Sequence, residues 1–394
     1  MEIESLFDNQ RIELQETKRA VTPFGGIAVF VTYLRKIGLV DRVRQWMPIQ
    51  HRSHNQIDPT ATFTSFLLSV ALGARRFAHI GAMRNDKALQ SLLGLARFPS
   101  DDTVRNFFGR FTAGHVVRLY EPLAEARFVL HGWLRSGNCG SSRGVVEFLK
   151  EALALWGQRQ PIRLVRTDSG FFDDKLLQFL EQHSLPYVVV ARLTQWVKRS
   201  AQGIKQWRQL DEDYAVGEFQ QKLHGWDTAR RFVVIRERVR EARASVGRRL
   251  FDFPGYTFRV FVTNRGEAPE CLWRDYNPRA DIENRIAELK DDLAADDFCL
   301  RQFEATAAAF RAILVLFNLL AEFQRAAGSE VYHRPATRRS SLFVRGAIVG
   351  RSARKLVLFL AQSWGGLVTR NPMIESILRW PIPTPPKLHF PLRT

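Results

Sequence analysis

The run Tyr187-Val-Val-Val-Ala191 restricts the fold more than any other stretch of the chain. Its three consecutive valines are typical of a strand that is buried in a sheet. Residues 162–167 have the pattern of another short strand, and residues 173–185 and 144–156 have helical periodicity. Strands and helices in this order predict an α/β fold with a mixed sheet.

Three further segments complete the predicted division into domains. Residues 1–119 have helical periodicity from about residue 24 and predict an N-terminal helical domain, for DNA binding or for dimerisation. Residues 195–261 alternate polar and apolar positions and predict a β-rich insertion of antiparallel strands. We therefore expect a split core of residues 120–194 and 262–330, followed by a basic C-terminal region of residues 331–394.

The charge of the chain points to a polyanionic partner. There are 58 Lys+Arg residues against 40 Asp+Glu, a formal net charge of +18, and the pI is about 10.4. Nucleic acid or an anionic membrane surface fits such an excess. Because the basic residues are spread over segments that look folded, without an apolar anchor beside a basic tail, nucleic acid is the better interpretation.

Other features predict a cytoplasmic protein without a membrane-spanning segment. Cys139, Cys271 and Cys299 have neither paired nor metal-ligand spacing, which fits a reducing compartment. The N-terminus lacks the charged and apolar regions of a signal peptide. The apolar stretch of residues 307–320 is short for a span and contains Arg311.

Asp168 is the first candidate for chemistry. It follows the strand predicted at residues 162–167 and precedes Ser169 and Gly170. A carboxylate at the end of a strand lies at the functional edge of an open α/β sheet. Asp-Ser-Gly is also good turn chemistry, so the motif alone leaves both interpretations open.

The second candidate group is Tyr276, Arg279, Glu283 and Lys290. In a single helix these residues fall at relative positions 0, 3, 7 and 14 and stack along one face. A carboxylate flanked by a guanidinium, an ammonium and a phenol suits a metal-binding acid whose neighbours hold DNA. A solvated helix face with an ion pair between Arg279 and Glu283 is the alternative.

Asp168 and Glu283 together predict a site for divalent metal. Carboxylate oxygens are the hard ligands that Mg²⁺ or Mn²⁺ prefers. Two such ions activate a water and stabilise the leaving oxygen in phosphodiester cleavage.

The polar face of residues 276–290 resembles the Tyr-Arg-Glu-Lys signature of bacterial insertion-sequence transposases of the DDE class. Residues 166–171 resemble the second-aspartate motif of that family, and residues 262–264 resemble its last sheet strand. The resemblance covers about residues 20–370.

The resemblance implies a ribonuclease-H-like catalytic core that is interrupted by a β-rich insertion. Such an enzyme uses Mg²⁺ to cut and rejoin double-stranded DNA at the terminal inverted repeats of a mobile element and to join it to target DNA. It also implies a homodimer on the DNA, in the bacterial cytoplasm and associated with the nucleoid.

The family's functional residues carry over by position. Asp168 would be the second metal-binding carboxylate and Glu283 the third. Tyr276, Arg279 and Lys290 would contact phosphates near the cut, as their donor chemistry suits.

Trp226 lies beside a basic cluster that includes Arg230 and Arg231, in the predicted insertion. By the resemblance, Trp226 would stack on an unpaired or flipped base, and the two arginines would contact DNA. An ordinary aromatic side chain in a small β core is the alternative for Trp226.

The family's first aspartate, on the first strand of the core, has no counterpart in this sequence. Residues 120–126 resemble the family's later second-strand segment, so we infer an internal deletion at about residues 119–120. The neighbouring strands then lose a partner for their backbone groups. Glu121 and Glu125 precede the surviving strand, but no pattern places either one opposite Asp168.

Two functions follow from this departure. One is a DDE transposase with impaired catalysis, and the other is a non-catalytic DNA-binding derivative that acts as a repressor or inhibitor of intact transposase. An unrelated metal-dependent nuclease or phosphatase leaves the Tyr-Arg-Glu-Lys spacing unexplained.

Overall fold

The computed structural model describes residues 2–5, 7–8, 10–51, 53, 55–123, 129–157, 161–238, 256–277, 280–353 and 355–382. The chain divides into two compact units. Unit 1 comprises Met1–Leu134 and Ala287–Thr394, and unit 2 comprises Arg135–Ile286. The predicted mixed α/β class is confirmed, whereas the predicted domain boundaries divide the chain differently from these units.

The helices of the described residues are, in chain order, α1 (Ile27–Lys36), α2 (Leu39–Trp46), α3 (Pro59–Ala71), α4 (Phe77–Ala82), α5 (Lys87–Leu93), α6 (Asp101–Phe108), α7 (Ala113–Leu123), α8 (Val145–Trp156), α9 (Asp174–Gln182), α10 (Gln195–Gln202), α11 (Pro269–Tyr276), α12 (Ala280–Ala287), α13 (Phe303–Ala326), α14 (Pro335–Arg338) and α15 (Gly366–Arg379). Short 3₁₀ helices lie at Met83–Asn85, Ser169–Phe171 and Gln362–Trp364, and π-helical turns lie at Glu288–Asp292 and Arg339–Phe343.

The strands are β1 (Glu2–Glu4), β2 (Arg11–Glu13), β3 (Ala20–Thr22), β4 (Val165–Thr167), β5 (Tyr187–Val190), β6 (Arg208–Gln209), β7 (Tyr214–Gln221), β8 (Arg230–Arg238), β9 (Tyr256–Thr263), β10 (Ala347–Ser352) and β11 (Lys355–Leu360). They form a two-stranded sheet β1-β2, a three-stranded sheet β11-β10-β3 and a six-stranded sheet β4-β5-β9-β8-β7-β6.

Helix α13 runs through the core of unit 1. It is rich in Ala and Leu, which favour helix, and its side chains are buried on nearly every side. By length and composition it could cross a membrane, contrary to the expectation for residues 307–320, but 67% of its most apolar window is buried inside the protein. The core helix of a globular domain meets the same criteria.

Aromatic side chains from several helices pack around α13. The ring of Phe30 on α1 lies 5.1 Å from Phe323 and 5.6 Å from Phe343. Phe66 on α3 packs edge-on against Phe108 and Phe298, at 4.8 and 5.1 Å. Each such ring removes enough apolar surface from water to stabilise the fold by about 1.5–3 kcal/mol.

The N-terminal segment is more ordered than its polar sequence suggests. Strand β3 pairs antiparallel with β10, with Val21 opposite Ile348. The chain then passes so close to the C-terminal part of unit 1 that a Cβ atom on Gly26 would lie 1.7 Å from the carbonyl oxygen of Leu342. Only glycine permits this approach, which fixes where α1 begins.

The sequence of residues 126–135 is typical of an extended run, and its described part, residues 129–135, has no strand partner among the described residues. Instead, the backbone of Val129 forms two hydrogen bonds with Asn318 of α13, both 2.9 Å long. Further along, a Cβ atom on Gly132 would meet Leu314 at 2.4 Å. These contacts seat the segment on α13 and replace the ladder bonds of a strand.

Strand β5 is the centre of the packing in unit 2. Tyr187 and Val189 point into a core shared with α8 and α9, and Val188 points into a second core with α11. The expectation of a buried strand is therefore confirmed. Strand β4 pairs parallel with β5, and all other pairs in this sheet are antiparallel.

The predicted β-rich insertion is part of this sheet. Strand β9 pairs with β5 on one side and with β8 on the other, and β7 continues the meander. Strands β7, β8 and β9 are the kind of antiparallel strands that the sequence predicts for this segment. They extend the sheet that carries Asp168.

A buried arginine links this sheet to α9. The side chain of Arg230 is 3% exposed and donates to Asp174 at 2.5 Å and to Glu181 at 2.7 and 3.0 Å. Tyr187 also donates to Glu181, at 2.8 Å. Because a buried charge is costly unless it is paired, this network holds α9 against β8 in one register.

We predict that Arg230→Ala lowers the free energy of unfolding by about 3–5 kcal/mol, since it leaves two carboxylates without their shared cation. Urea unfolding followed by circular dichroism measures the loss. The matched control is Arg208→Ala, because Arg208 is 54% exposed in its ion pair with Glu270. That substitution should cost about 0–1 kcal/mol. Equal losses in the two variants contradict the structural role of Arg230.

The same network predicts a dependence on pH. Burial by itself raises the pKa of Glu181, but hydrogen bonds from Arg230 and Tyr187 outweigh burial and hold that pKa below its ordinary 4.5. The contribution of Glu181 to stability is therefore complete above about pH 4.5 and is lost as the pH falls through the lower, folded pKa. We expect the difference in unfolding free energy between the unchanged chain and Glu181→Gln to stay constant above that pH and to shrink below it. A difference that grows on acidification contradicts this.

Candidate catalytic site

Asp168 lies where strand β4 ends. Its carboxylate accepts a hydrogen bond from the backbone N–H of Gly170, 2.9 Å away, and opens the 3₁₀ helix Ser169–Phe171. It is therefore both a residue at a strand end and a turn residue, so its position leaves both interpretations of Asp-Ser-Gly open. Two residues earlier, Arg166 donates to the carbonyl oxygen of Asp275 at 2.8 Å, which ties β4 to α11.

Strand β4 is short and stands at the end of its sheet. It has three residues and, among the described residues, pairs with β5 alone. The parallel register pairs Thr167 with Val189 of β5. The next position along β5, beside Asp168, is therefore Val190. The hydroxyl of Thr167 is buried and has no hydrogen-bond partner among the residues that the structure describes.

Glu283 lies on α12, in unit 2, and is exposed. The single helix expected from Tyr276 to Lys290 is not what the described residues form. Helix α11 contains Tyr276, α12 begins at Ala280, and Arg279 lies outside the described residues. Beyond α12 the chain enters the π-helical turn Glu288–Asp292, whose wider winding changes the direction of successive side chains.

The environment of Tyr276 contradicts its predicted phosphate contact. Its side chain is 5% exposed, and its ring centroid lies 4.7 Å from that of Phe261 on β9. The apolar ring thus packs in the second core of unit 2. Lys290, in the π-helical turn of unit 1, is 58% exposed and lies 3.8 Å from Asp296.

The carboxylates of the described residues do not fit a metal site by themselves. In that part of the chain no group of three or more His, Cys, Asp or Glu side chains is placed to hold a metal ion. Glu125 and the side chain of Glu121 lie outside the described residues, so the structure adds no acid to Asp168 and Glu283.

Trp226, Arg230 and Arg231 have structural environments. Trp226 is half-buried, and its ring lies 5.2 Å from Phe172 and 4.7 Å from the guanidinium of Arg230. This supports the alternative of an aromatic side chain in a β core. Burial and ion pairing of Arg230 contradict its predicted contact with DNA.

Arg231 is 19% exposed in an ion pair with Glu218 at 2.6 Å. It also donates to the carbonyl oxygens of Arg265 and Glu267, both at 2.8 Å. All these partners belong to the sheet or to the segment that follows it, so the predicted DNA contact of Arg231 is replaced by a link between β7, β8 and the end of β9.

An exposed aromatic residue that the sequence analysis missed lies on α10. Trp196 is 58% exposed, and the guanidinium of Arg199 lies 5.7 Å from its ring. Val197 and Ala201 form the buried stripe of this helix, four residues apart, so that Trp196 falls outside the stripe. The N-cap residue Thr194, followed by apolar residues four positions apart, is the sequence signal that indicates this helix and places Trp196 outside its buried side.

Much of the basic C-terminal region is bound within unit 1. Arg334 donates to buried Asp292 at 2.9 and 3.2 Å, and Arg339 donates to the carbonyl oxygens of Ala71 and Asp292 at 3.0 and 2.7 Å. Arg345 and Arg370 likewise donate to backbone carbonyl groups. These side chains join α3, the π-helical turn after α12 and the C-terminal segment.

Comparison with known proteins identifies a family for this chain. Residues 120–367 match the family model described as transposase DDE domain group 1. No curated protein matches the chain. The matched range is more than half of the chain and includes Asp168 and Glu283. The chain therefore belongs to the DDE transposases, a family of DNA-binding nucleases and strand transferases that act in DNA transposition.

Proposed function

We propose that this protein is a bacterial insertion-sequence transposase that binds the terminal inverted repeats of its element but is impaired in cutting and joining DNA. The carrying observation is the position of Asp168 at the end of an edge strand, in a chain whose described residues contain no group of three or more His, Cys, Asp or Glu side chains placed to hold a metal ion. A ribonuclease-H-like core that lacks its first strand accounts for this position. The family match that begins at residue 120 fits a deletion at about residues 119–120.

The sheet explains why the missing acid has no ready substitute. On the paired side of β4, the residues that follow the ladder are Val190 and Ala191 of β5, which carry no carboxylate. A first aspartate would have to come from the other side of β4. With Mg²⁺ or Mn²⁺ and three carboxylates, the family's chemistry activates water at a phosphodiester. Asp168 and Glu283 supply two.

DNA binding rests on the exposed part of the positive charge. Because Arg339 and Arg370 donate to backbone carbonyl groups within the protein, the contacts to phosphate fall to other residues, among which Lys290 and Arg279 remain part of the proposal.

Helix α10 offers the best aromatic contact for the DNA. Trp196 is exposed beside the guanidinium of Arg199. Arg192, before the helix in the sequence, and Lys205, after it, are also exposed. An aromatic ring within a basic surface suits an unpaired base at a DNA end. Trp196 thus takes the role that the sequence suggested for Trp226.

A second function is a non-catalytic derivative that occupies the element's ends or assembles with intact transposase and inhibits it. The same edge position of Asp168 favours it, since such a protein needs DNA binding and dimerisation without a complete set of carboxylates.

We expect Trp196→Ala to weaken binding to DNA with a single-stranded end by about tenfold, because one base–aromatic stack contributes ~1–3 kcal/mol. Fluorescence anisotropy with labelled oligonucleotides measures the dissociation constant. Trp196→Phe keeps a stacking face and should restore most of the affinity. Unchanged binding by Trp196→Ala removes α10 from the proposed DNA surface.

In a cleavage assay, the purified protein with Mg²⁺ or Mn²⁺ should shift, but not nick, a supercoiled plasmid that carries the DNA flanking its gene on both sides. Gel shift and the loss of supercoiled plasmid measure the two activities. Glu283→Ala and Asp168→Ala serve as controls against contaminating nucleases. Nicking by the unchanged chain that both substitutions abolish contradicts impairment, whereas absence of any shift contradicts DNA binding.

A further inference from the structure

Strand β11 is an apolar edge strand of the three-stranded sheet in unit 1. Among the described residues it pairs with β10 only. After Lys355 every residue of the strand is apolar, and Leu356 and Phe359 are 48% and 58% exposed. Proteins usually protect such an edge with charged residues or proline, and β11 has neither within its apolar run. An exposed edge of this kind is a template for another strand.

The backbone of β11 shows which groups remain open for a partner. The N–H of Ala361 donates to the carbonyl oxygen of Gly346, 3.1 Å away, on the β10 side. Because backbone groups alternate in direction along an antiparallel strand, those of Phe359 and Val357 also face β10. The N–H and C=O groups of Leu356, Leu358 and Leu360 therefore face outward.

We propose that β11 pairs with β11 of a second copy of this chain, antiparallel, with Leu358 opposite Leu358 of the partner copy. A two-fold axis perpendicular to the sheet places the same face of both copies on the same side. Residues that lie opposite each other across the interface must therefore belong to the same face of β11. This register satisfies that condition and sets Leu356 opposite Leu360. It uses the outward groups of all three leucines and joins the two sheets into one.

The side chains of β11 favour a copy of itself over other partners. In this register Val357 lies opposite Phe359 on one face, and the leucines meet on the other, so each cross-strand pair within the apolar run is apolar. Lys355 falls opposite Ala361, at the two ends of the ladder. The two lysines therefore never face each other, although the whole chain is strongly basic.

A row of apolar side chains runs across the three strands of this sheet, on one of its faces. Val21, Ile348 and Phe359 are cross-strand neighbours on β3, β10 and β11, and Val21 is 50% exposed. The ring of Phe359 lies over Gly350, where a Cβ atom would be 3.0 Å from it. Phe359 is thus held flat against β10 and leaves the backbone of β11 open for pairing.

This surface gives the homodimer of the proposed function a defined interface, and to that extent it rests on that proposal. Pairing through β11 requires no DNA. Experiments on DNA-free protein therefore test it separately: a monomer in solution contradicts the β11 interface and leaves DNA binding and impaired cleavage untouched.

The test is the molar mass of the full chain by light scattering over a wide range of protein concentrations. We expect a dimer for the unchanged chain. Leu358→Lys places two ammonium groups opposite each other, and Phe359→Lys removes the apolar contact of an exposed side chain, so each should raise the dimer dissociation constant about tenfold or more. Val21→Lys, an equally exposed position on the opposite strand of the same sheet, is the matched control and should leave it unchanged. Circular dichroism verifies that each variant is folded.

Cross-linking tests the register. In a background with Cys139, Cys271 and Cys299 replaced by Ser, the Leu358→Cys chain should form a covalent dimer with a short bismaleimide, and the Val21→Cys chain should not. A monomer at every concentration overturns the proposal. So does a dimer that survives both lysine substitutions on β11, or cross-linking that is equal at the two positions.

Discussion

The burial of β5 on both faces is the constraint on which the rest of unit 2 depends. Tyr187 and Val189 need the cover of α8 and α9, and Val188 needs the cover of α11 on the other side. With both faces occupied, neighbours can join β5 only at its edges, where β4 and β9 pair with it. The position of Asp168 is a consequence, because β4 has no other place in the sheet.

The positive charge of the chain serves two purposes, and only one is recognition of DNA. Arg230 holds α9 to β8, and Arg334 and Arg339 hold the segment after α12 to the C-terminal part of unit 1. Arginine suits this task because its planar donors satisfy several acceptors at once. The count of 58 Lys+Arg residues therefore overstates the number of cations that face a partner, although the net charge of +18 already includes the paired carboxylates. Exposed residues such as Trp196 and its basic neighbours are better guides to the DNA surface.

The sequence predicted elements whose local pattern agrees with their packing. The valine run of β5 and the alternation in β7 and β9 each gave the right type of element, because period and burial coincide there. The prediction failed for segments whose structure depends on contacts with residues far away in the sequence. Residues 129–135 have a strand-like composition, but the backbone N–H and C=O groups of Val129 pair with the side chain of Asn318.

At the candidate site the same limit applies. Spacing alone aligned Tyr276 with Glu283 on one helix, but spacing carries no information about Phe261, against which Tyr276 is buried. Likewise, a run of arginines near Trp226 looks like a DNA surface until Asp174 and Glu181 are placed beside Arg230. The position of Asp168 at a strand end was predictable because it depends on the strand alone.

In the proposed function, the loss of the first aspartate is a loss of topology rather than of one side chain. A carboxylate acts with Asp168 only if an adjacent element holds it at the same edge of the sheet. On the β5 side that place belongs to Val190 and Ala191, and an acid there would be buried against an apolar core without a partner, which costs several kcal/mol. On the other side, the described residues provide no strand on which to set one. A point substitution therefore does not restore three carboxylates to this fold. Restoring them requires a strand beside β4, which is why we propose a protein that recognises DNA more than it cuts it.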